Sequence, residues 1–128
     1  MAEVTFRNAE PKDCKLILSF IKELATYEKL EKEVVADERT LREWIFEKQK
    51  AEVIFACVER KEVGYALFFH NFSTFIGRAG IYMEDLYISP EYRGKGYGKQ
   101  YLKAAIFNAP ATIDSYFTAM VQRDMYGY

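Results

Sequence analysis

The sequence is poor in the residues that build most metal centres and nucleophilic sites. It holds one histidine (His70), one tryptophan (Trp44) and two cysteines (Cys14 and Cys57). With a single histidine and no ligand-like Cys or His spacing, no metal site is expected. Catalysis by a Cys–His pair has only His70 to draw on. Both cysteines stand among apolar neighbours and read as buried free thiols, which fits a reduced, cytoplasmic setting. No apolar run approaches the roughly 18 residues of a membrane span. The opening MAEVTFRNAEP lacks a basic stretch followed by an apolar one, so no secretory signal is expected. Charge of one sign is also missing: 18 basic and 19 acidic residues give a net charge of −1. Neither nucleic acid nor an anionic membrane is an expected partner. Arg93, Lys95 and Lys99 supply a local basic patch.

What is present is a core. Half of the 128 residues are hydrophobic and 16% are aromatic, which excludes a disordered chain and is enough for one domain over 1–128. EVTFRNA alternates and predicts a first strand. Pro11, with Glu10 and Asp13 beside it, predicts the start of a helix. On that helix Ile17, Phe20, Ile21, Leu24 and Tyr27 share one face. Asp37 is placed to cap a second helix carrying Leu41, Trp44 and Ile45 on one side. Apolar β-rich runs follow at 53–59 and 63–72, joined by a turn at RKEVG, and a third long strand is expected over 80–89. GKQYLKAAIF then predicts a helix with Tyr101, Leu102, Ala105 and Ile106 on its apolar stripe. The order β-α-α-β-β-β-α predicts an α+β domain on a mostly antiparallel sheet.

The third strand carries an irregularity. Ile81 and Met83 alternate with Tyr82 and Glu84, but the apolar set continues as Leu86 and Ile88, and Asp85 falls out of phase. An apolar face can change parity within a strand only where the pairing slips, so a β-bulge is expected at Glu84–Asp85. A bulge leaves backbone N–H groups able to point at a ligand.

Directly after this strand comes YRGKGYGKQYL, residues 92–102. A dinucleotide fingerprint requires G-x-G-x-x-G in a parallel unit, and the glycines here fall at 94, 96 and 98. A P-loop requires Ser or Thr after Gly-Lys, and Gln100 stands there. What remains, beside a plain surface turn, is a strand, a glycine loop and a helix N-terminus acting together on an anion. Arg93 and Lys99 add fixed charge, and a pyrophosphate is the ligand such a cradle fits.

RGKGYG matches R-x-x-G-x-G, the coenzyme A-binding signature of the GNAT superfamily of N-acetyltransferases. KDCKLILSFIKELATYEKL and IYMEDLYISPEYRGKGYG, with the segment between them, resemble the diamine (spermidine/spermine) and thialysine branch of that family over roughly residues 3–106. The resemblance implies a mixed, mostly antiparallel twisted sheet flanked by helices. It implies acetyl-coenzyme A as co-substrate, a small primary amine as acceptor and a homodimer as assembly. Leu86 and Ile88 match the bulged-strand positions whose amides hold pantetheine and the acetyl oxygen. Arg93, Gly94, Gly96, Gly98 and Lys99 match the pyrophosphate loop, and Asn108 a further coenzyme contact. Glu84 matches the base, acting through water, and Asp85 stands beside it in the amine site. Tyr27 and Glu28 match a substrate-binding pair, with core packing as the other reading of Tyr27. In the turn before the third strand the diamine enzymes carry an acid and a tryptophan; here Ser73 and Phe75 hold those places, which brings the chain nearer the thialysine sub-branch. Tyr116 matches the acid that protonates the leaving thiolate.

The family pattern then breaks. A fifth strand normally follows the helix, yet NAPATIDSY comes almost at once after KAAIF, so residues 107–128 are atypical and expected to be incomplete. Three arrangements stay open: ATIDSYFTAM as a replacement strand, a wall from a partner subunit, or intervening residues outside this sequence. Two other functions also stay open, a non-catalytic coenzyme A-binding module and a plain anion-binding domain.

Overall fold

The computed structural model describes residues 4–95 and the backbone of residues 119–121. Strand β1 (Val4–Asn8) leads into a 3₁₀ turn at Pro11–Asp13 and helix α1 (Cys14–Tyr27). The acids expected near this helix start do two jobs. Asp13 accepts the Glu10 backbone N–H at 2.7 Å, closing a capping box. It also takes two hydrogen bonds from Arg7 of β1, at 2.9 and 3.0 Å. Asp13 is buried, and the Arg7 hydrogen bond holds its carboxyl below the usual range against the opposing cost of burial. Arg7 thereby ties the first strand to the first helix.

The second helix starts where Asp37 predicts it: the Asp37 carboxylate accepts the Thr40 N–H at 2.8 Å. Helix α2 (Glu38–Leu41) then widens into a π-helical stretch over Arg42–Glu47. That winding corrects the expected apolar face. Leu41 and Ile45 are buried, but Trp44 is 49% exposed, because i→i+5 turns rotate side chains off a 3.6-residue stripe. Lys48 covers the Trp44 ring at 4.0 Å.

Three antiparallel strands follow, β2 (Glu52–Val58), β3 (Lys61–Ser73) and β4 (Arg78–Ile88). The expected RKEVG turn is instead a two-residue turn at Glu59–Arg60, so Lys61 and Glu62 belong to the strand. Both turn residues have left-handed backbones, φ 52° and 67°. That conformation matches the strand twist, but Asn or Gly usually marks it in a sequence. A fifth strand, β5 (Ala119–Val121), runs parallel to Ile81–Met83 and completes the sheet order β1-β2-β3-β4-β5. It lies at the end of the segment named as a replacement strand, extending one residue past it. The sheet is thus mixed and mostly antiparallel, as expected. The predicted helix GKQYLKAAIF lies outside the described residues.

The core centres on β2, β3 and α1. Phe55, Tyr65, Phe68, Ile17, Ile54 and Met83 are among its fully buried side chains. Phe20 of α1 packs on Phe55, Tyr65 and Tyr87 at ring separations of 6.1, 5.7 and 6.1 Å, which fixes the helix over one face of the sheet. Cys14 and Cys57 are free and buried, and burial pushes both thiols up, away from the reactive thiolate.

Candidate active site

The bulge lies at the expected place. Leu67 pairs with Asp85 and Phe68 with Met83, leaving Glu84 as the extra residue of β4. The slip puts Ile81, Met83, Leu86 and Ile88 on one face with Ala66 and Phe68, and turns Glu84 and Asp85 to the other, where α1 packs. An apolar stripe and a carboxylate pair are sorted by one inserted residue.

The register also fixes backbone direction. Ser89 donates its N–H to the Val63 carbonyl at 2.8 Å. Antiparallel pairing alternates, so Tyr87 and Asp85 face β3 while Leu86 and Ile88 turn their amide groups toward the β5 side. The Ile88 carbonyl agrees with this phase, since it accepts from Arg93 Nε at 2.7 Å. The β4–β5 ladder spans Ile81–Met83 and stops just before the bulge. Leu86 and Ile88 are the two strand positions that the coenzyme resemblance names. The residues present therefore fit a pantetheine arm along this edge.

Asp85 is held from β3. It accepts the Tyr65 hydroxyl at 2.7 Å, and Tyr65 is itself completely buried. Burial raises the Asp85 carboxyl; the Tyr65 hydrogen bond lowers it, and the charges of Glu84 and Glu28 raise it again. Glu28, at the C-cap of α1, is thus within electrostatic reach of Asp85. Tyr27 beside it is 51% exposed, which sets aside the core reading.

Arg93 closes the other end of this group. Its guanidinium lies over the Tyr27 ring at 4.4 Å and the Tyr87 ring at 5.2 Å, while Nε holds Ile88. The Tyr87 hydroxyl lies 3.4 Å from Glu23, and burial raises its pKa. Between α1 and the end of β4 lies a cleft of 430 Å³ lined by Glu23, Thr26, Tyr27, Tyr87, Pro90 and Arg93, with Lys22 at its side. Gly94 follows at φ 78°, and a Cβ there would meet only open space, so its conformation rather than close contact calls for glycine.

The structure therefore brings together Tyr27, Glu28, Glu84, Asp85, Leu86, Ile88 and Arg93 at one end of the sheet. It does not bring Phe75 there. Phe75 is fully exposed in the β3–β4 turn, and Arg78 to Glu84 alone is six strand steps, roughly 20 Å. Gly96, Gly98, Lys99, Asn108 and Tyr116 lie outside the described residues. Sequence reasoning missed Tyr65, Tyr87 and Glu23. For Tyr65 a signal existed: once the bulge is placed, Asp85 and Tyr65 become diagonal neighbours on one face. Among the described residues no group of three metal-ligating side chains converges, and no helix is long and apolar enough to cross a membrane.

A strand bulged beside an acid pair, running into a glycine turn beneath the first helix, is a family arrangement, and comparison with known proteins agrees. The model of the acetyltransferase (GNAT) family matches residues 18–122, and the chain belongs to that family. It is 42% identical over 112 residues to the thialysine N-epsilon-acetyltransferase of Bos taurus, and 38% identical over 112 residues to that of Mus musculus. Each alignment takes in 80% of this chain and 65% of the relative, so the chain spans just under two-thirds of their length. Among solved structures, a predicted acetyltransferase of Clostridium acetobutylicum with acetyl-CoA superposes with a TM-score of 0.72 at 18% identity, over 94% of this chain and 82% of that one. At that identity the likeness speaks for the fold alone.

Proposed function

We propose that this chain is an acetyl-coenzyme A-dependent N-acetyltransferase acting on the primary amine of a small molecule, a lysine-like amino acid such as thialysine ahead of a polyamine. The observation that carries the reading is the Glu84 bulge, which places two carboxylates on the α1 face and turns Leu86 and Ile88 amides toward the opposite edge. The 42% identity to a thialysine acetyltransferase supports the substrate class.

Bound acetyl-coenzyme A supplies a thioester carbonyl as electrophile. The chain's residues do the rest. An alkylammonium has a pKa near 10.4 and must lose a proton before it attacks. Glu84 takes that proton through water, and Asp85 and Glu28 hold the cation beside Tyr27. Leu86 and Ile88 amides hold the pantetheine arm and the developing oxyanion; losing one such donor typically costs about 3 kcal/mol. Arg93, anchored on Ile88 and the two tyrosines, sets the start of the loop in which Gly94, Gly96, Gly98 and Lys99 receive the pyrophosphate. Asn108 adds a coenzyme contact, and Tyr116 returns a proton to the thiolate. Residues 1–128 belong to one N-acetyltransferase domain, of which 107–128 form an atypical, incomplete part; it acts in a homodimer and in the cytoplasm, and two buried free thiols are consistent with a reducing compartment.

The test is a calorimetric titration with acetyl-coenzyme A, followed by thiol release with thialysine, lysine and spermidine as acceptors. Saturable binding and turnover, fastest with thialysine, are expected. Absence of binding overturns the reading, and binding without turnover on any amine replaces it with a coenzyme-binding module.

A further inference from the structure

Tyr65 has an unusual place for a tyrosine. Its ring is sealed in the core, stacked on Phe20 at 5.7 Å and 18°, and fully buried. A phenylalanine would fill that space equally well, and a buried hydroxyl is costly without a partner. The hydroxyl is directed instead at the bulge, 2.7 Å from Asp85 Oδ2. Sealed as it is, Tyr65 touches no substrate, and its hydroxyl reaches the site through Asp85.

We infer that Tyr65 is a positioning residue for amine acetylation: its buried hydroxyl fixes the Asp85 carboxylate at the bulge in one orientation to receive the substrate ammonium. This rests on the functional reading above. The surroundings show why such a device is needed. Asp85 is half-buried, with Glu84 next to it on β4 and Glu28 facing it from the end of α1. Burial and both neighbouring carboxylates favour its neutral form, and the Tyr65 hydroxyl from β3 opposes them. A neutral Asp85 offers an ammonium little. Removing the hydroxyl tips the balance toward protonation, so the acid site loses charge at the acidic end of the working pH range first.

The experiment compares wild type with Tyr65→Phe, which keeps the ring and its stacking on Phe20. Two readouts are taken: the pH profile of kcat/KM with thialysine or lysine, and the side-chain carboxyl NMR titration of Asp85. In Tyr65→Phe the acidic limb and the Asp85 titration are both expected to move up by about one pH unit. At neutral pH the amine KM rises several-fold while the KM for acetyl-coenzyme A stays put. Added to Asp85→Asn, the Tyr65→Phe change moves the profile no further. A lower Tm with an unmoved limb and an unmoved Asp85 titration makes Tyr65 structural only and overturns the inference. If wild type acetylates none of the amines, the functional reading fails separately; an Asp85 titration that is the same in both proteins then overturns this inference as well.

Discussion

Among the described residues the sheet contains two bulges, and they differ in what they carry. In β3 the extra residue is Val63, which falls between the Ala56–Gly64 and Cys57–Glu62 pairs and is completely buried. In β4 it is Glu84, followed by Asp85. The first is apolar, and its carbonyl accepts the Ser89 N–H, pinning the end of β4. The second sets two carboxylates side by side, with a third in electrostatic reach, on a face where burial works against the charge of Asp85. One device thus serves two ends. At Val63 burial and the Ser89 hydrogen bond favour the fold; at Asp85 burial of the carboxylate opposes it, and the rest of the sheet holds it in place.

Four changes would break or sharpen that contrast. Glu84→Gln has the largest expected effect: kcat falls by about a hundredfold while acetyl-coenzyme A affinity hardly changes. Steady-state kinetics beside calorimetry check this, and an equal loss in both would remove Glu84 as the base. Asp13→Ala, far from the chemistry, loses both the capping box and the Arg7 pair and is expected to cost about 2–3 kcal/mol in urea unfolding with kcat intact. Val63→Ala loses part of a buried side chain at the structural bulge, about 1–2 kcal/mol, again with kcat intact. A fall in kcat there would show the two bulges to be coupled. Smallest is Glu59→Asn with Arg60→Gly, which suits the left-handed turn and raises stability by up to about 1 kcal/mol.

Acid titration separates the same regions by sign. Asp13 is lowered in the fold, so its contribution is present above the ordinary aspartate range and is lost as pH falls through its folded value. Asp85 is raised, so its contribution is present below the ordinary range and is lost as pH rises through its folded value. Unfolding curves of Asp13→Asn and Asp85→Asn across pH should therefore diverge from wild type in opposite directions.

Much of this was legible in the sequence, for physical reasons. The Glu84 bulge follows from period-2 alternation, because Ile81, Met83, Leu86 and Ile88 cannot share a face without a slip. Asp37 and the Glu10–Asp13 pair announce helix starts because their side chains satisfy orphan amides locally. What escaped depends on non-local contacts or on unmarked backbone. Glu59 and Arg60 take left-handed conformations without Gly or Asn to announce them. The π-helical stretch that exposes Trp44 leaves no compositional trace. Arg93 was legible as charge beside a glycine loop, but its place over Tyr27 and Tyr87 depends on how α1 meets β4, contacts 66 and 6 residues away in the chain. The Tyr65–Asp85 hydrogen bond spans 20 residues and exists only through the register the bulge creates.

The claim that the second bulge builds a site against its own stability is tested most directly by Asp85→Asn, with Tm at pH 7 and thialysine turnover measured on the same preparation. The account predicts that Tm rises and turnover falls. A Tm that falls, as expected for Asp13→Asn, or a turnover that is unchanged, would contradict it.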